Sequence, residues 1–95
     1  MREKERKGML ERVSDAFEIP GGALAGMPRF ELTGNRRLHI EGHRGVLEYD
    51  SGMIAVNGGP LLIRIFGDRL EIVSMSAEEL LIAGNIEKFE FERGR

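Results

Sequence analysis

The sequence predicts a mainly β protein: an antiparallel β-sandwich-like domain of about seven to eight short strands with one amino-terminal amphipathic helix. Three observations predict it. From Arg29 onward apolar residues alternate with others at a period of two, as in half-buried strands. Pairs of residues that tolerate positive φ recur between these alternating runs, about every eight to ten residues. No helical stretch separates the runs, which argues against an α/β fold.

Residues 1–20 come first and read as the helix, because Met9, Leu10, Val13, Ala16 and Phe17 recur at three- and four-residue spacing among polar side chains. Gly8 costs on the order of 1 kcal/mol inside a helix, so residues 9–18 are expected to hold only by docking that stripe. Ile19-Pro20-Gly21-Gly22 ends the helix, and residues 21–28 form a short apolar linker. A β domain follows over 29–93. Its candidate strands carry Phe30/Leu32, Leu38/Ile40, Leu47/Tyr49, Ile54/Val56, Ile63/Ile65, Leu70/Ile72, Leu80/Ile82 and Phe89/Phe91. The turns between them fall at Gly34-Asn35, Gly42-His43, Ser51-Gly52, Asn57-Gly58, Gly67-Asp68 and Gly84-Asn85. Ser76-Ala77-Glu78-Glu79 fits the capping-box pattern of a short helix, but Leu80-Leu81-Ile82 followed by Gly-Asn reads better as a strand entering a turn. Phe30, Leu38, Val46 and Ile54 stand eight apart, which keeps a β-roll or short solenoid as the alternative architecture. The expected core is Phe30, Leu38, Ile40, Ile54, Val56, Ile63, Ile65, Leu70, Ile72, Ile82 and Phe89.

Ninety-five residues make one small domain, and with 41% hydrophobic and 32% charged residues it has an ordinary globular composition. So short a chain buries a modest share of its surface and gains from a partner. Having no cysteine, it builds neither disulfides nor Cys-based zinc sites, which fits a reducing compartment. A net charge of −2 is the wrong sign for a general nucleic-acid binder. No apolar run of signal-peptide or membrane-spanning length appears, so a cytoplasmic protein without a transmembrane segment is expected.

The candidates for chemistry are few: two histidines, one tyrosine, four serines, one threonine and scattered carboxylates. His39 alternates with Leu38 and Ile40 and should face away from the core, with His43 in the next turn. Four residues along a strand put them roughly 13 Å apart, so no metal is expected and both read as solvated or interface histidines. Glu90 and Glu92 share a strand face, but beside Lys88 on a last strand they read as edge-protecting charges rather than an acid/base pair. Gly21 to Gly26 lacks the order of a phosphate loop. Arg36, Arg37 and Arg44 cluster without the aromatics of a nucleic-acid platform. Catalytic residues, a cofactor and intrinsic enzyme activity are therefore not expected. What does stand out is apolar residues on the wrong faces. Leu62 and Phe66 lie opposite Leu61, Ile63 and Ile65, while Val73 and Met75 lie opposite Leu70 and Ile72. Either the helix stripe or a partner must cover them. Charge is also uneven: residues 29–44 carry Arg29, Arg36, Arg37 and Arg44 against two acids (+2), and residues 68–92 carry seven acids against two bases (−5). The candidate interaction residues are thus Arg36, Arg37, Arg44, Leu62, Phe66, Val73, Met75, Glu90 and Glu92.

From Glu18 to Phe91 the chain resembles the YabP/YqfC family of sporulation proteins. Glu18-Ile19-Pro20 ahead of Met27-Pro28-Arg29 carries the resemblance, with Leu32-Thr33-Gly34-Asn35, Leu38-His39-Ile40-Glu41 and His43-Arg44-Gly45-Val46. Glu78-Glu79-Leu80-Leu81-Ile82 with Gly84 and Ile86 completes it. Each motif is weak alone; their order and spacing make the match specific. The resemblance implies a non-enzymatic protein of endospore formers, made in the mother cell, with a β-sandwich-like domain. It also implies a structural or interaction role at the spore coat or forespore envelope, alongside a membrane-bound sporulation protein of the YqfD type, while the surplus apolar faces and uneven charge add self-association as an expectation. The competing class is a small-ligand or nucleic-acid binding domain, which needs a pocket or basic groove that the sequence does not display.

Overall fold

A computed structural model describes residues 26–94 of the chain. Its strands are β1 (Arg29–Thr33), β2 (Arg37–Glu41), β3 (Val46–Tyr49), β4 (Met53–Asn57), β5 (Leu61–Met75) and β6 (Glu79–Arg93). They form one antiparallel sheet in the order β1-β2-β6-β5-β4-β3. The helix expected over residues 1–20 and most of the expected linker lie outside the described residues.

Six strands replace the expected seven or eight because β5 and β6 each run for 15 residues through what the sequence marks as turns. Gly67-Asp68 and Gly84-Asn85 reverse nothing. They lie at one level of the hairpin, where Gly67 pairs with Ile86 and Asp68 with Asn85, flanked by register shifts. A β-bulge bends a strand and increases its twist, and here both strands bend together. The backbones touch at this point: a methyl on Gly67 would run into the Asn85 carbonyl, and one on Gly84 would lie 2.6 Å from the Arg69 oxygen. Arg69 itself adopts the left-handed region, with φ 55°. The true reversal is Ser76-Ala77-Glu78, where the Ser76 N–H donates to the Glu79 carbonyl (2.8 Å) and the Glu79 N–H to Ser76 Oγ (3.0 Å). The serine thus makes the bond that suggested a helix cap, but within a hairpin turn, and Leu80-Leu81-Ile82 is a strand.

The bend divides the sheet into two wings. β4 pairs with the first half of β5, Met53 to Asn57 against Phe66 to Leu62, and carries β3 outside it. β2 pairs with the first half of β6, Arg37 to Glu41 against Ala83 to Glu79, and carries β1. Leu38, Ile40, Leu80 and Ile82 from one wing and Ile54, Val56, Ile63 and Ile65 from the other join Leu70 and Ile86 in a single buried cluster. Phe30 of β1 meets Phe91 of β6 edge-on, ring centroids 5.9 Å apart, so the wings face each other across the core. One continuous sheet therefore supplies both sides of the core, in place of the two sheets of a sandwich, and antiparallel pairing throughout departs from a short solenoid. Of the expected core, Phe30, Ile72 and Phe89 are only half-buried, while Leu80, marked by the alternation but left out of the expected core, and Ile86, which the alternation did not mark, are core residues.

Candidate interaction surfaces

Cross-strand register decides which of the sequence-selected residues meet. On the outer face of the first wing Leu62 lies opposite Glu92, Arg64 opposite Glu90 and Phe66 opposite Lys88. Arg64 Nη1 donates to Glu92 at 2.8 Å, Lys88 reaches Glu90 at 3.2 Å, and the Lys88 ammonium sits 4.5 Å from the Phe66 ring centroid. Leu62, Phe66, Glu90 and Glu92 therefore share one surface, and the half-buried Leu62 and Phe66 lie among charged side chains rather than in a bare apolar patch. The Glu92 hydrogen bond and charge push the Arg64 guanidinium above its ordinary value. Because the pair is solvated, Arg64→Ala is expected to leave the urea midpoint nearly unchanged.

Val73 and Met75 lie elsewhere, on the second half of β5, and both are exposed. Ile72 pairs with Ile82 and Met75 with the buried Leu80, with a register shift between Ile72 and Ser74. That bulge returns Met75 to the face of Ile72, whereas strict alternation puts it on the opposite one. Arg36 and Arg37 are exposed where β2 begins, at the opposite end of that strand from Arg44 in the β2–β3 loop. The Arg44 N–H donates to the Asn57 carbonyl at 2.6 Å, and a Cβ on Gly59 would fall 2.9 Å from its guanidinium carbon. Arg44 thus ties two loops together, and the three arginines do not form one patch.

His43 corrects the reading of a solvated histidine. It is 6% exposed, with Nε2 at 2.9 Å from the Ser76 carbonyl and 3.2 Å from that of Glu79. The Gly45 N–H donates to Nδ1 at 3.1 Å, so the ring must carry its proton on Nε2, aimed at the two carbonyls. The ring pins the β2–β3 loop to the β5–β6 turn, aided by the Gly42 N–H donating to Glu78 at 2.7 Å. Replacing His43 with alanine strands these groups and should cost about 1–3 kcal/mol in urea unfolding. His39 stays on the outer face, 3.9 Å from Glu41 and 3.3 Å from Glu79. Glu79 joins it through the β2–β6 register, which spacing along the chain does not reveal. These three side chains converge closely enough to ligate an ion. Arg29 lies opposite Glu41 in the β1–β2 register, which puts one basic residue on the same face as this cluster.

The strand edges differ in how they are covered. Beside the second half of β5, the Tyr49 hydroxyl accepts the Ile72 N–H at 3.0 Å and the Ser51 carbonyl accepts that of Leu70 at 2.9 Å. Beside β6, the Gly84 N–H reaches Arg36 and that of Ile86 reaches Asn35. From Glu87 to Arg93 no strand pairs with the edge of β6 away from β5 among the described residues. All of these residues except the half-buried Phe89 are exposed, Phe91 by 58%.

None of the described residues forms a helix long and apolar enough to cross a membrane. No solved structure matches the chain. An uncharacterized Bacillus subtilis (strain 168) protein named YqfC is 29% identical over 86 residues, 90% of this chain and 89% of that protein. The model of the YabP family matches residues 26–95, which takes in all six strands. The chain therefore belongs to the YabP family.

Proposed function

We propose that this protein is a non-enzymatic interaction module of the sporulating cell. It acts in the mother-cell cytoplasm, peripherally at the forespore envelope or coat, by associating with itself or with a membrane-bound sporulation protein of the YqfD type. The observation that carries this reading is the edge of β6 that none of the described residues pairs with, beside exposed Phe91, on a protein of the YabP family. An unpaired edge invites a partner strand. In the same reading residues 1–20 form the amphipathic helix that sequence periodicity predicts, and it packs on protein rather than lipid. Its five basic and five acidic side chains over residues 1–18 lack the cationic excess that anionic membranes attract.

Tagged protein recovered from sporulating cells should bring down either its own untagged copy or a membrane-bound protein. The Arg36→Glu/Arg37→Glu variant should recover less while keeping its circular dichroism spectrum, since both side chains are exposed. A protein that sediments as a monomer at low and moderate salt, and recovers nothing from such cells, ends this reading.

A further inference from the structure

We infer that the edge of β6 left unpaired among the described residues is a homodimerisation edge, on which a second copy of the chain pairs its own β6 antiparallel about Glu90. This rests on the assembly reading above and specifies its surface. The segment Lys88-Phe89-Glu90-Phe91-Glu92 is complementary to itself when reversed. In a two-fold antiparallel pair centred on Glu90, each Lys88 faces the other copy's Glu92 and each Phe89 the other copy's Phe91. An isologous contact must match itself in this way. Opposite charges and aromatic pairs directly across strands are the stabilising kinds.

The fold agrees with this register. Lys88, Glu90 and Glu92 belong to the outer face, where their β5 partners are Phe66, Arg64 and Leu62. Phe89 and Phe91 pair with the buried Ile65 and Ile63 on the inner face. Residues opposed in an antiparallel ladder share a face, so the β6–β6 pairing extends both faces across the dimer, with Phe beside Phe and charge beside charge. Phe89 and Phe91 already stack within one chain at 6.4 Å, and Phe30 meets Phe91. A second copy lengthens this aromatic row and covers Phe91. Moving the centre to Phe91 sets Glu90 against Glu92 twice, and moving it to Phe89 leaves Phe91 against Glu87. The chosen register leaves one like pair, Glu90 against Glu90, each 3.2 Å from its own Lys88 and open to screening by salt. The contact is at the small end of specific interfaces, so the dimer is expected to be weak, about micromolar.

The full chain lacks cysteine, so single-thiol variants report the register cleanly. Under mild oxidation Glu90→Cys should form a disulfide-linked dimer at least tenfold faster than Glu92→Cys, whose thiol lies about four residues, roughly 13 Å, from its twin. In sedimentation, Lys88→Glu should weaken the dimer about tenfold, and Lys88→Glu/Glu92→Lys should restore it, because the opposed charges are again unlike. Equal cross-linking of the two thiols, or a dimer indifferent to Lys88→Glu, overturns this edge while leaving assembly through another surface standing. A monomer in which the Glu90→Cys thiol resists maleimide has the outer face of β6 covered within the chain itself, which also overturns it. A monomer with a freely reactive thiol overturns dimerisation and leaves partner recovery from sporulating cells to decide the broader reading.

Discussion

Ile63→Ala should lower stability by about 2–5 kcal/mol, seen as a fall in the urea midpoint with an unchanged slope. Ile63 has no exposed surface and sits between Val56 of β4 and Phe91 of β6 on the inner face of the first wing. Its Cδ1 also limits the Asn57-Gly58 turn, since a Cβ on Gly58 would lie 2.8 Å from it. Truncation removes three buried carbons and opens a void in the cluster that the two wings share. Because a chain of this size has about 5–14 kcal/mol in total, that one change consumes a large share of it. Phe91→Ala, at a ring already 58% exposed, should cost the monomer clearly less. Equal losses at the two positions would show that the seam beside β6 is closed in solution.

Ile63 is legible in the sequence because alternation is a local signal, and the same signal identifies most of the buried cluster, from Leu38 and Ile40 to Ile82. The strand count is not legible. Gly-Asp and Gly-Asn have the chemistry of tight turns, yet Gly67-Asp68 and Gly84-Asn85 face each other within one hairpin, and only the pairing of β5 with β6 reveals that the chain bends there without reversing. The same non-local cause hides Glu79 beside His39, and Met75 on the face of Ile72. His43 misleads because a histidine after glycine looks like part of a solvated turn. Its burial depends on the Ser76 and Glu79 carbonyls arriving from over thirty residues away. Leu62, Phe66, Glu90 and Glu92 assemble on one surface as their shared parity requires, whereas Arg36, Arg37 and Arg44 are neighbours in sequence only.

The glycine bend yields a prediction whose sign is the test. Gly67 is not among the glycines with positive φ. At such a position alanine ordinarily stabilises by about 0.4–1 kcal/mol, because it narrows the unfolded ensemble. Here the added methyl would collide with the Asn85 backbone, which belongs to the paired strand and does not swing aside as a side-chain tip does. Gly67→Ala is therefore expected to destabilise by about 3 kcal/mol, at the upper end of overpacking costs. Gly34→Ala provides the contrast. Gly34 has φ 53°, and a methyl added there would meet no atom within 4 Å, so alanine should cost only the left-handed penalty of about 1 kcal/mol. If Gly67→Ala proves neutral or stabilising in urea unfolding, the two strands do not approach backbone to backbone. The close approach is also what lets one sheet supply both sides of its own core: with room for a methyl at Gly67, β5 and β6 would separate at the bend, and the inner faces carrying Ile63 and Ile82 would lose their common cluster.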